Sequence, residues 1–139
     1  HSTSRRQRQM CIRDRLKSIY GVGTFLGLTI MYETGEISRF SQVGDFCSYA
    51  RCVGSRRMSN GKKKGENNTK NGNRFLAWAF VEAANHACWK YAQAGAFVQR
   101  KSAKANYTLA IKALAHKLAR ASYYVMRDQV EFDPGRLFG

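Results

Sequence analysis

The chain has 139 residues, 24 Lys+Arg against 9 Asp+Glu and a formal net charge of +15. That length suits one domain with a hydrophobic core, and a hydrophobic content of 44% excludes wholesale disorder. So large a cationic excess repels itself on folding and fits a polyanionic partner, nucleic acid first and an anionic membrane surface second.

No apolar run approaches the ~20 residues that span a bilayer, and no signal-peptide pattern opens the chain. A soluble protein with no membrane partner is expected. A single proline, Pro134, and plentiful Ala, Leu, Lys and Arg predict a mainly α fold. Residues 1–14 are polar, basic and without periodicity, and read as a leader, non-native or disordered, outside the fold. From Arg15 a domain is expected to run to residue 127, followed by an extended tail over 128–139.

Within 15–35, "RLKSIYGVGTFLGLTIMYETG" reads as a short helix, a Gly-x-Gly turn at Gly21 and Gly23, and an apolar helix from Thr24 to Thr34 with Gly35 as its stop. Ser41 is a candidate cap for a further helix carrying Val43, Phe46 and Cys47. Residues 51–74 then form a long basic loop rich in Gly, Asn and Ser, with a brief hairpin at "SNGK". A connection of that length inside a compact domain tends to be functional or disordered. Two long helices are expected next. The one over 75–93, apolar on nearly every side through Phe75, Leu76, Trp78 and Phe80, is expected to be the central buried helix. After Gly95 a basic segment leads into the other, over 106–127, where Tyr107, Ile111, Leu114, Leu118, Ala121 and Val125 make a core-facing stripe. Lys104, Lys112, His116, Arg120 and Arg127 fall on another face.

Two segments carry candidate chemistry. The first has the shape of a helix-hairpin-helix: Gly21, Gly23 and Thr24 would present free backbone N–H groups to a DNA phosphate without reading sequence. Glycine also serves any tight interhelical turn, which is the structural alternative. The second is the basic loop, where Arg56, Arg57, Lys62, Lys63, Lys64, Lys70 and Arg74 would neutralise phosphates and make binding salt-dependent. Its structural alternative is a solvated loop. Ser59 lies among these cations, which are able to stabilise a phosphoryl transition state. Ser55 is the nearby competitor.

Elsewhere the acids Glu33, Glu36, Asp45, Glu66, Glu82, Asp128, Glu131 and Asp133 are scattered, against a two-metal site. Tyr123 and Tyr124 sit in an apolar stretch and read as core. Cys11, Cys47, Cys52 and Cys88 contain no C-x-x-C pair, so neither a zinc finger nor a disulfide framework is expected. His86 and Cys88 lack a second ligand pair. No metal site is expected.

The run "GVGTFLGLTIMYETGEISRFSQVGDFCSYARCVGSRRMSNGKKKGENNTKNGNRFLAWAFVEAANHA" closely resembles the C-terminal domain of transposases of insertion-sequence family 110, subgroup 1111, and "KALAHKLARASYYVMRDQVEFD" resembles the same subgroup's ending. The resemblance implies a DNA recombinase whose N-terminal RuvC-like nuclease half holds magnesium on four acidic residues and is missing from this sequence. No cofactor is then expected in this segment. It implies that the C-terminal half supplies a serine nucleophile for strand exchange, which falls on Ser59. Here Asn60 separates that serine from Gly61, whereas the wider family more often has Ser directly before Gly. Implied partners are DNA, as element ends and target, a structured guide RNA, and further copies of the full-length protein. The implied place is the cytoplasm, at the nucleoid. The segment alone would bind nucleic acid and not recombine it. The alternative is a non-catalytic helix-hairpin-helix module that binds DNA or RNA.

Overall fold

The computed structural model describes residues 2–53, 56–59, 62–66 and 72–138, with side chains for 5–53 and 72–138. The fold is mainly α, as expected. Its helices are α1 (Ser2–Leu16), α2 (Thr24–Thr34), α3 (Val43–Tyr49), α4 (Arg74–Lys90), α5 (Ala92–Lys104), α6 (Tyr107–Asp128) and α7 (Pro134–Phe138), with a 3-10 turn at Ile37–Arg39. Two short strands, β1 (Arg56–Ser59) and β2 (Lys62–Glu66), pair antiparallel between α3 and α4.

Helix α6 touches α1, α3, α4, α5 and the 3-10 turn. Ile111, Leu114, Leu118 and Val125 recur at helical spacing and are buried, together with Ala110, Ala115 and Ala119, whereas Tyr107, expected in the same stripe, is exposed and Ala121 is only half-buried. The centre of the core is therefore α6 and not α4. Helix α4 buries one face, Leu76, Ala79, Phe80, Ala83, Ala84 and Ala87, while Phe75, Trp78 and Trp89 remain exposed. Small residues on that face let neighbouring backbones come close. The φ of Gly21 is +83°, and a Cβ built there would lie 2.0 Å from the Ala83 carbonyl oxygen. Any side chain at 21 would both strain the left-handed backbone and push the α1–α2 turn off α4.

Other segments differ from the sequence expectations. The stretch read as lying outside the fold carries a helix, Ser2–Leu16, exposed over residues 5–11 with Ile12 half-buried and Leu16 buried. Its Arg and Gln residues favour helix without any apolar periodicity, which is why patterning missed it. The segment after Gly95 is not a basic connection, because α5 runs through that glycine and buries Ala94, Phe97 and Val98. What ends α4 is Tyr91, in extended backbone, whose ring stacks on Tyr20 at 3.8 Å between centroids. Within the stretch read as an extended tail, Pro134 opens α7, the Phe132 amide donates to Ser18 Oγ at 3.0 Å, and Lys117 Nζ donates to the Leu137 carbonyl at 3.1 Å. Ser41 does not cap α3. The N-cap is Gln42, and the Ser41 hydroxyl donates instead to Asp45.

Tyr123 is buried and donates to the Phe40 carbonyl at 3.0 Å, so its role is packing. Cys47 and Cys52 are free thiols whose pKa values burial pushes up to about 11 and about 12. Exposed Cys11 should therefore alkylate first with iodoacetamide at pH 8. Cys47 and Cys52 should react only when denaturant is added, as peptide mass mapping would show. In thermal melts Gly21→Ala should cost more than about 2 kcal/mol through clash and backbone strain. Gly23→Ala, with nothing within 4 Å of the added Cβ, should cost less than about 1 kcal/mol.

Candidate nucleic-acid interface

The basic loop is closed at its root by one residue. Asn73 is the N-cap of α4, and its Oδ1 accepts from the amides of Phe75 and Leu76 at 2.9 and 3.0 Å. With Oδ1 committed to two donors, Nδ2 must face acceptors. It donates to Glu33 Oε2 on α2 at 2.8 Å and to Tyr49 Oη on α3 at 3.3 Å. The Asn73 amide also donates to the Tyr49 carbonyl at 2.7 Å. Three helices thus meet on one side chain. The bond from Asn73, with Arg39 beside the ring, holds the Tyr49 phenol below its ordinary pKa.

The chain leaves this root through Arg51, in left-handed backbone, whose Nη2 reaches the Gly72 carbonyl at 3.4 Å. It returns through Gly72 at φ +108°, where a Cβ would sit 2.5 Å from the Tyr49 carbonyl oxygen. Both crossing points are pinned to the end of α3. Between them β1 and β2 pair with Arg56 opposite Glu66, Met58 opposite Lys63 and Ser59 opposite Lys62. The register shifts between Arg56 and Met58, leaving Lys64 and Gly65 across from the single Arg57, as a bulge does. Of the expected site residues, Arg56, Arg57, Ser59, Lys62, Lys63 and Lys64 therefore have backbone positions on one ribbon. Ser55, Asn60, Gly61 and Lys70 lie outside the described residues, as do the side chains of 56–66.

The expected helix-hairpin-helix residues separate. Gly21 is turned to α4 and serves packing. Gly23 and Thr24 are exposed at the start of α2, whose first amides have no intrahelical acceptor. The following residue, Phe25, lines a groove between α2 and α4 with Leu28, Thr29, Tyr32, Glu33, Arg74, Phe75 and Trp78. Glu33 is the carboxylate that Asn73 holds, so the wall of the groove is the root of the ribbon. Sequence reasoning missed this groove by assigning Phe75 and Trp78 to the core. The signal was present: α4 carries more apolar breadth than one buried face can use.

Lys104, Lys112, Arg120 and Arg127 are exposed. On the same stretch His116 is partly buried, and desolvation with Arg120 and Lys117 beside it lowers its pKa. Neutral imidazole is thus favoured in the fold. Among the described residues no group of three His, Cys, Asp or Glu side chains is placed to hold a metal, and no helix is long and apolar enough to cross a membrane.

The sequence profile of the Transposase IS116/IS110/IS902 family matches residues 13–99. No curated relative matches the chain.

Asn73→Ala should lower stability by about 1–2 kcal/mol through the lost cap and the stranded Glu33 carboxylate. Asn73→Asp keeps the cap acceptor but sets carboxylate against carboxylate, raising the pKa of one of the pair. Its stability deficit should shrink as pH falls from 7 toward 4, because protonation then relieves the repulsion. Urea melts of both variants across that range would show a deficit that shrinks further for the second than for the first, whose lost cap costs the same at every pH.

Proposed function

Because the chain belongs to the Transposase IS116/IS110/IS902 family, we propose that it is the C-terminal, DNA-handling domain of such a transposase, of subgroup 1111, with Ser59 as nucleophile. The observation that carries this reading is the antiparallel cationic ribbon, in which Ser59 ends β1 directly opposite Lys62, with Lys63 and Lys64 following on β2.

In the proposed step, Ser59 Oγ attacks a DNA phosphorus. An Oγ–P bond forms, one P–O bond to deoxyribose breaks, and the proton lost by the hydroxyl ends on the departing sugar oxygen. One phosphate ester replaces another, so no external energy source is consumed, and reversal onto a different sugar hydroxyl completes strand exchange. Lysines and arginines of the ribbon would offset the charge building on the phosphoryl oxygens. Gly23 and the Thr24 amide at the start of α2 would hold a neighbouring phosphate, whereas Gly21 is committed to packing on α4.

Magnesium belongs, by resemblance, to a preceding acidic half. The scattered carboxylates here offer it no seat among the described residues, so no step is routed through it. A structured RNA encoded by the element would be the second polyanion for the same cations. The full-length protein would act as an oligomer at the nucleoid.

The test is Ser59→Ala in a full-length parent. Strand transfer should be abolished while DNA binding by this chain stays unchanged. Retained transposition would instead identify a module that only binds nucleic acid. For the isolated chain, log Kd should rise linearly with log salt concentration. Replacing Lys62, Lys63 and Lys64 together by Gln should reduce that slope by about 2–3. A slope that stayed the same in a filter-binding titration would remove the ribbon from the interface.

A further inference from the structure

The groove between α2 and α4 has no role in the step above, yet its composition is specific. Phe25 is 70% exposed, Tyr32 67%, Phe75 49% and Trp78 46%. An aromatic cluster of this kind on an open surface marks a binding face. Phe25 and Trp78 meet edge to face at 6.1 Å, and the Arg74 guanidinium lies 5.0 Å over the Phe75 ring. Planar groups with a cation among them suit flat, electron-rich ligands.

Charge and position select the occupant. A second copy of a chain carrying +15 would be repelled from such a surface, whereas a polyanion is drawn to it. Arg74 in the groove directly follows Asn73, on which the cationic ribbon is rooted. Arg74 offers a phosphate one cation beside the rings, and the Glu33 carboxylate on the same wall is held by Asn73. Duplex bases are already stacked and show proteins only their edges, but unpaired bases have free faces for aromatic rings.

We propose that the groove of Phe25, Tyr32, Phe75 and Trp78 receives unpaired bases of a single-stranded nucleic acid, with Arg74 beside them for a phosphate. This rests on the nucleic-acid reading above and adds to it a place and a strandedness. Both DNA and RNA offer the required chemistry.

The test uses the full chain with fluorescein-labelled oligo(dT) and oligo(U) of about 15 nucleotides, an abasic oligonucleotide of the same length, and a duplex. Tyr32→Ala and Trp78→Ala should each weaken binding to an oligonucleotide that carries bases about tenfold, with duplex affinity and thermal melting near wild type. Trp78→Phe should restore most of the loss. The abasic strand should bind all proteins equally weakly. Loss confined to oligo(dT) or to oligo(U) would support the proposal and identify the source of the strand. Equal loss for duplex and single strand overturns it, and so does unchanged oligonucleotide affinity in both alanine variants. A dimer in sedimentation that Trp78→Ala dissociates, with oligonucleotide binding intact, also overturns it and makes a second copy the occupant. Absence of binding to every nucleic acid would overturn the function reading together with the groove.

Discussion

The hydrogen bonds of Asn73 are the constraint on which the rest of the interface depends. One amide side chain caps α4, accepts nothing further at its oxygen, and spends its nitrogen on Glu33 of α2 and Tyr49 of α3. It does so at the point where a basic excursion of more than twenty residues, 51–74, returns to the fold. Long closures cost entropy, though only slowly with length. Bonds at Arg51, Gly72 and Asn73 hold the two crossing points of that excursion together at the end of α3. The network also fixes which amide atom is which, since two backbone donors require the oxygen.

A second constraint is the close approach of backbones. The Gly21 turn lies against the Ala83 carbonyl, and α4 presents Ala79, Ala83, Ala84 and Ala87 on its buried face. Helix α4 is thereby drawn into the α1–α2 hairpin on one side and against α5 and α6 on others. What it does not bury, Phe75 and Trp78, is left beside Phe25 and Tyr32 of α2. Leu76 and Phe80 of α4 fill the space among those alanines, and Phe75 and Trp78, on the other side of the helix, have no buried partner left.

Charge and apolar surface are divided in space. Among the described residues the exposed cations include Arg5, Arg6 and Arg8 of α1, Lys104 of α5 and Lys112, Arg120 and Arg127 of α6, while burial inside favours neutral groups, as with the raised Cys47 and Cys52 thiols and the lowered His116 imidazole. Self-repulsion of so basic a chain is least where the charges project into solvent. Long-range attraction by the net charge and short-range contact with aromatic rings are separate contributions, the first weakened by salt and the second little affected.

Composition and local pattern were enough for several conclusions. The helical class, α2 from Thr24 to Thr34, the α6 stripe of Ile111, Leu114 and Leu118, the hairpin strands flanking "SNGK" and the cationic character of 51–74 all depend on neighbours a few residues apart. Ser59 could be singled out only by family resemblance, because no local pattern marks one serine among cations as a nucleophile. Tertiary structure alone decided the division between the two turn glycines, since Gly21 and Gly23 look alike until Ala83 is placed against one of them. It alone decided that Phe75 and Trp78 face outward, that α5 passes through Gly95, and that residues 134–138 fold back as α7. Each of these turns on which distant surface arrives at a given face. Helical periodicity records only that a face is apolar, and leaves its partner to be chosen by the packing of the whole chain.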